Sequence, residues 1–204
     1  MQINLPVDAL GREIRARDAQ LSVEDAKLQG YAVLYNTSSV DLGGWRERFA
    51  PGAFTDSLRD YPDIFALWQH NTDQVLGRTA AGTLTINEDQ NGIAFTIDPP
   101  DTQAGRDAVA LIKRGDVSQM SFAFSVNENG SKWEKIDGVW VRTVLSARIY
   151  EVSPVTWPAY PQTSVTARSL TITLPDDHPL SLDSRARLET LRLRLDLAEK
   201  MQRV

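Results

Sequence analysis

Between Ser118 and Ser125 the chain alternates strictly. Ser118, Met120, Phe122 and Phe124 fall on one face of an extended strand, and Gln119, Ser121, Ala123 and Ser125 on the other. The first face can fill a core. The second offers only small or polar groups, with a hydroxyl at its middle. A face of that kind is solvated, seats a neighbouring element, or leaves room for a substrate beside Ser121.

Short strand patterns recur along the chain, over Gln29–Asn36, Trp45–Phe54, Asp63–His70, the neighbourhood of Val75–Arg78, and Ser146–Thr156. Asn91-Gly92 in "GTLTINEDQNGIAFTID" and Asp137-Gly138 in "WEKIDGVWVR" are hairpin turn signals. Helices are predicted over Thr55–Asp60 and Thr102–Arg114. In the second, Ala108, Leu111 and Ile112 share a face and Gly115 supplies the stop. Seven or eight short strands with two helices predict a mainly β body with flanking helices (α+β), a largely antiparallel barrel or sandwich.

The two ends differ from this body. Residues 1–27 are polar and charged without a firm period and read as a weakly ordered leader. The body runs from 28 to 170, a Pro-containing linker from 171 to 180, and an amphipathic helix from 181 to 204. In that helix Leu188, Leu191, Leu195 and Ala198 form one stripe, which must bury itself on the body, on a second copy or on a partner.

Composition narrows the chemistry. With 204 residues the chain can bury a sizeable core. It has no cysteine, which excludes disulfides, thiolate metal sites and a Cys nucleophile. No stretch is long and apolar enough to span a membrane, and the N-terminus lacks the layout of a secretory signal. The net charge of −5 argues against a general nucleic-acid binder. The tail from Ser181 carries six basic and four acidic residues, whereas residues 1–180 hold 16 basic and 23 acidic ones.

Only two histidines compete for a catalytic role. His178 sits in the linker "PDDHP", where a solvated side chain is the expected reading. His70 ends an apolar strand on the face of Trp68, Ala66 and Ile64. An ordinary imidazole pKa near ~6.5 suits a general base at neutral pH. Glu151, inside "RIYEVSPVT", is costly unless exposed or paired. Ser121, His70 and Glu151 therefore have the chemistry of nucleophile, base and orienting acid, a trio defined by geometry rather than by order. A glycosidase reading would need two carboxyls across a cleft, and nothing selects a pair among Glu88, Asp89, Asp98 and Asp101.

The stretches "GYAVLYN", "RERFAPGAF", "ALWQHN" with "VLGRTAAGTLTI", "DTQAGRDAVALIKRGDV", "MSFAFSV" and "YEVSPVTWPAYPQTSV" follow one another over roughly residues 28 to 168. In that order they resemble the prohead proteases of tailed bacteriophages, capsid-maturation serine proteases similar to herpesvirus assemblins. The resemblance implies a seven-stranded antiparallel barrel-like body. It implies Ser121 as nucleophile, His70 as base and Glu151 as third member, with no cofactor and no metal. It implies scaffold or capsid-protein segments, and the chain itself, as substrates inside the assembling prohead of a bacterial cell. A homo-oligomer is expected, with neither nucleic acid nor membrane as partner. Self-cleavage is expected within "TLPDDHPLSLD", and oxyanion donors around Val155–Ala159. The alternative keeps the fold as an inactive capsid-assembly or scaffold protein. Two positions depart from the family pattern: Asn71 stands where an Asp often follows the histidine, and Ala123 replaces a glycine beside Ser121.

Overall fold

The computed structural model describes residues 2–7, 11–18, 21–42, 44–156 and 168–173. Contacts divide the chain into a larger unit, Leu5–Leu170, and a smaller one of Met1–Asn4 with Thr171–Val204. The linker beyond Thr173 and the expected C-terminal helix lie outside the described residues.

The strands, in chain order, are β1 (Gln2–Val7), β2 (Glu13–Asp18), β3 (Ser22–Glu24), β4 (Lys27–Leu34), β5 (Trp45–Phe49), β6 (Phe65–Trp68) and β7 (Asn71–Arg78). They continue as β8 (Leu84–Glu88), β9 (Gly92–Ile97), β10 (Gln119–Val126), β11 (Ser131–Ile136), β12 (Val139–Val144), β13 (Ala147–Val155) and β14 (Arg168–Thr173). Among the described residues there are two α-helices, α1 (Thr55–Asp60) and α2 (Gln103–Arg114), and a single 3-10 turn at Thr79–Ala81. The fold is mainly β with few helices, as expected. Neither helix is long and apolar enough to cross a membrane.

The strands form three sheets, ordered β14-β1-β2-β10-β13-β6-β7, β11-β12-β5 and β3-β4-β9-β8. Among the described residues no closed barrel forms, which departs from the seven-stranded antiparallel barrel-like body that the family resemblance implied. Two pairings, β13 with β6 and β12 with β5, are parallel. Alternation reveals a strand but not the direction of its partner, and both parallel pairs join segments far apart in sequence.

Both signalled hairpins form for local reasons. Asp89 Oδ1 accepts the Asn91 and Gly92 N–H groups at 2.7 and 3.0 Å, closing the β8–β9 connection. Gly92 also packs against β4, where a Cβ would fall 1.9 Å from the Val33 carbonyl oxygen. Asp137 and Gly138 both take positive φ between β11 and β12. Helix α2 starts at Thr102, whose hydroxyl accepts the Gly105 N–H at 3.2 Å, and stops at Gly115 in the left-handed region. Ala108 and Ile112 turn its apolar face into the core. Helix α1 is pinned to β13, where buried Ser57 accepts the Ile149 N–H at 3.0 Å.

The Phe face of β10 enters the core as its alternation requires. Phe122 and Phe124 pack with Phe49 and Phe54 at centroid distances of 5.2 to 6.2 Å, edge-to-face for Phe49 with Phe122, Phe49 with Phe124 and Phe54 with Phe122.

The stretch read as a weakly ordered leader contains β1, β2 and β3, and β2 lies directly against β10. Two of its charges, Glu13 and Arg15, are drawn out of solvent rather than left in it. Arg142 on β12 reaches Glu13 at 2.9 Å and Glu47 of β5 at 3.1 Å, while Arg15 reaches the same two carboxylates at 2.8 Å each. Burial alone would lower the Arg15 pKa, but the Glu47 and Glu13 carboxylates outweigh it and hold the guanidinium above its ordinary value. Two cations and two anions from three strands balance one another, a match that no local pattern discloses.

This cluster yields the first prediction. Arg142→Leu leaves Glu13 and Glu47 short of a buried partner, so unfolding in urea should show a loss of about 3–5 kcal/mol. A loss under about 1 kcal/mol would mean that the cluster contributes little to the fold.

Candidate active site

Ser121 lies in the middle of β10, opposite Ser153 on β13, with Ala123 opposite Glu151. Side chains two apart share a face of a strand, so Ser121, Ala123, Glu151 and Ser153 lie on one side and Phe122 and Phe124 on the other. The small groups on that side leave space for a third side chain. It is supplied by His70.

The sequence suggests that His70 continues a strand on the face of Trp68. Instead β6 ends at Trp68, and Gln69 and His70 form a two-residue connection to β7 with φ of 55° and 59°. Left-handed backbone costs roughly 1–2 kcal/mol at a residue other than glycine. The turn is held from β13: the Gln69 N–H donates to the Pro154 carbonyl at 3.2 Å. The Gln69 side chain donates to Thr156 Oγ1 at 2.8 Å and accepts the Thr156 N–H at 3.2 Å. No Asn-Gly marks this turn, so tertiary contacts carry it. Asn71 caps the next residues by accepting the Asp73 N–H at 2.9 Å.

From this turn the imidazole bridges β10 and β13. His70 Nε2 is 2.7 Å from Ser121 Oγ, and Nδ1 is 2.6 Å from Glu151 Oε1. The Ser153 hydroxyl donates to the other carboxylate oxygen, Oε2, at 2.5 Å. Glu151 is buried, yet both of its oxygens have partners, which offsets the cost of removing the charge from water. The His70 side chain keeps 23% of its exposure, whereas Ser121 has none.

With Nδ1–H donated to the carboxylate, Nε2 carries the lone pair and can accept a proton from Ser121. That is the orientation in which an imidazole acts as base toward a hydroxyl, with a carboxylate ready to stabilise imidazolium. A second acceptor competes for the same proton, because the Ser121 hydroxyl also lies 2.9 Å from the Arg15 carbonyl oxygen.

The three side chains singled out in the sequence thus meet in one hydrogen-bonded line. Ser153 was missed, although its position two residues after Glu151 puts both on one face of β13. Of the expected oxyanion donors, Val155 lies opposite Gln119 and the Thr156 N–H is taken by Gln69; Trp157–Ala159, like His178, lie outside the described residues. The rival carboxylates have local partners. Glu88 accepts the Tyr35 phenol and the Thr55 hydroxyl, and Asp89 accepts the Tyr31 phenol at 2.7 Å. Burial, with Glu88 as partner, pushes the Tyr35 phenol well above its ordinary range. Asp101 holds Arg106 at 2.6 Å, and Asp98 stands 3.9 Å from Lys27. Among the described residues no group of three or more His, Asp or Glu could hold a metal ion.

Comparison with known proteins places this arrangement in context. The sequence profile of the caudovirus prohead serine protease family matches residues 12–175, a span that contains all three side chains. A capsid polyprotein of Pseudomonas phage PAJU2 is 32% identical over 104 residues, covering 50% of this chain and 15% of the polyprotein. No solved structure matches the chain.

The geometry makes a prediction independent of any activity. Nitrogen-15 NMR of the His70 ring should report the neutral tautomer protonated on Nδ1. In Glu151→Gln that preference should weaken or reverse, because an amide can turn its NH2 toward Nδ1. An unchanged tautomer in the variant would break the link between Glu151 and His70.

Proposed function

Since the chain belongs to the caudovirus prohead serine protease family, we propose that it is a serine endopeptidase of capsid maturation with Ser121 as nucleophile, His70 as general base and Glu151 as the orienting acid. The observation that carries this reading is the Ser121–His70–Glu151 line, with contacts of 2.7 and 2.6 Å. Ser121 Oγ adds to the scissile carbonyl carbon as its proton passes to His70 Nε2. The tetrahedral intermediate collapses, the C–N bond breaks, and the same proton goes to the departing amine. Water, deprotonated by His70, then hydrolyses the acyl-enzyme and restores the serine. Glu151 keeps Nδ1 protonated throughout, and Ser153 holds the carboxylate in place. No cofactor enters this sequence of steps.

The substrates in this reading are scaffold proteins or the scaffold segment of the capsid protein, together with the chain itself, inside the assembling prohead in the host cell. The tail stripe provides for docking onto the shell or onto another copy, and a homo-oligomer fits that role. Retention of the complete hydrogen-bonded line disfavours an inactive assembly protein on the same fold.

Ser121→Ala should abolish cleavage of co-expressed scaffold and capsid protein, followed by intact mass, while leaving thermal unfolding unchanged. Glu151→Gln should lower kcat by as much as about four orders of magnitude. Ser153→Ala should cost about tenfold, the scale of one hydrogen bond to a charged group. Undiminished cleavage in Ser121→Ala would remove that serine from the mechanism.

A further inference from the structure

The Ser121 hydroxyl already faces a backbone carbonyl. Strand β2 pairs antiparallel with β10 in a register that puts Ala16 opposite Ser121 and Arg15 opposite Phe122. The Arg15 carbonyl oxygen accepts the Ser121 hydroxyl at 2.9 Å. On the other edge of β10 runs β13 with Glu151 and Ser153. The edge that an extended peptide would have to join is therefore taken, and it is taken by the chain's own strand.

The Glu13 and Arg15 side chains of that strand are bound as well as its backbone. Arg15 donates through Nε to Glu47 at 2.8 Å and lies over the Phe124 ring, 5.5 Å from its centroid. Glu13, two residues earlier and so on the same face, takes two hydrogen bonds from Arg142, at 2.9 and 3.2 Å. Glu47 and Arg142 belong to β5 and β12 and would remain if β2 left. They would then offer a carboxylate where the Arg15 side chain had been and a guanidinium where Glu13 had been. Contact with Arg15 also works against catalysis, since one hydroxyl proton cannot be given to the carbonyl and to His70 together.

We propose that β2 holds the place of a substrate strand, so that the resting chain masks its own nucleophile and the site takes extended peptides with a basic residue at the scissile carbonyl and an acidic residue two positions before it. This rests on the serine protease reading above. The peptide adds to the edge of β10 by strand pairing, its backbone giving affinity and its alternate side chains giving selectivity. In that register Ser121 Oγ forms a bond to the carbonyl carbon of the basic residue, and its proton goes to His70 Nε2. The C–N bond to the following residue breaks as the proton passes to the departing nitrogen, and water releases the new carboxylate.

The absence of cysteine allows a direct test on the full chain. Asp18 and Gln119 are opposed Cα partners on β2 and β10, and neither belongs to the proposed machinery. The double variant Asp18→Cys, Gln119→Cys can be oxidised to lock the two strands together and reduced to free them. The substrates are peptides containing Glu-Ile-Arg-Ala or Glu-Ile-Glu-Ala. Reduced and native chain should cleave the first at least about a hundredfold faster than the second, because a buried carboxylate would otherwise face a like charge. Oxidation should suppress cleavage by about a hundredfold or more, and reduction should restore it, which also shows that the variant folds. Equal rates before and after oxidation, or no preference for the basic peptide, overturn the proposal while Ser121-dependent cleavage keeps the protease reading. Absence of cleavage of either peptide by native and reduced chain also overturns the proposal, and the protease reading then stands or falls on Ser121-dependent cleavage of co-expressed scaffold and capsid protein.

Discussion

The register between β10 and β13 is the constraint on which the site depends. A slip of one residue would turn Ser121 into the aromatic core and Phe122 toward Glu151, because side chains alternate with period two. The penalty for such a slip is set by the core: Phe122 and Phe124 stay in contact with Phe49 and Phe54 only in the observed register. Two buried phenylalanines therefore keep a serine facing a carboxylate on the far side of the sheet. Stability on one face fixes chemistry on the other.

The third member arrives by a different route. The Gln69-His70 turn adopts a backbone that glycine would take at no cost, and neither residue is glycine. Contacts to Pro154 and Thr156 offset the strain and tie the turn to the end of β13, the strand that carries Glu151. The parallel pairing of β6 with β13 brings this turn alongside that end. Base and acid are thus referenced to one strand, which keeps the distance between them short. Strain held at a functional position by its surroundings is a recurring way of fixing a side chain that must act.

Much of this was legible in the chain. Alternation at Phe122 and Phe124 located the core strand, Asn91-Gly92 and Asp137-Gly138 located the hairpins, and Thr102 with Gly115 bounded the longer helix. Ser121 stood out as a hydroxyl on the small-residue face of a core strand, His70 as the end of an apolar strand and Glu151 as a carboxylate inside one, and the family resemblance implied their roles. What was hidden depends on distant partners. Glu13 and Arg15 look solvated until Glu47 and Arg142 balance them, so β2 passed for a leader. His70 looked like a strand residue because the turn after Trp68 has no local signal and is made by Gln69 reaching Thr156. The direction of β5 and β6 against their neighbours is likewise set by chain crossings rather than by composition.

The claim that His70 and Glu151 activate Ser121 is tested most directly by covalent labelling with a fluorophosphonate, applied to a chain that is cleaving peptide and followed by peptide mass mapping. A single adduct on Ser121, lost in His70→Ala and slowed in Glu151→Gln, is the expected result. An adduct on another serine, or one on Ser121 that forms as fast without His70, would contradict it.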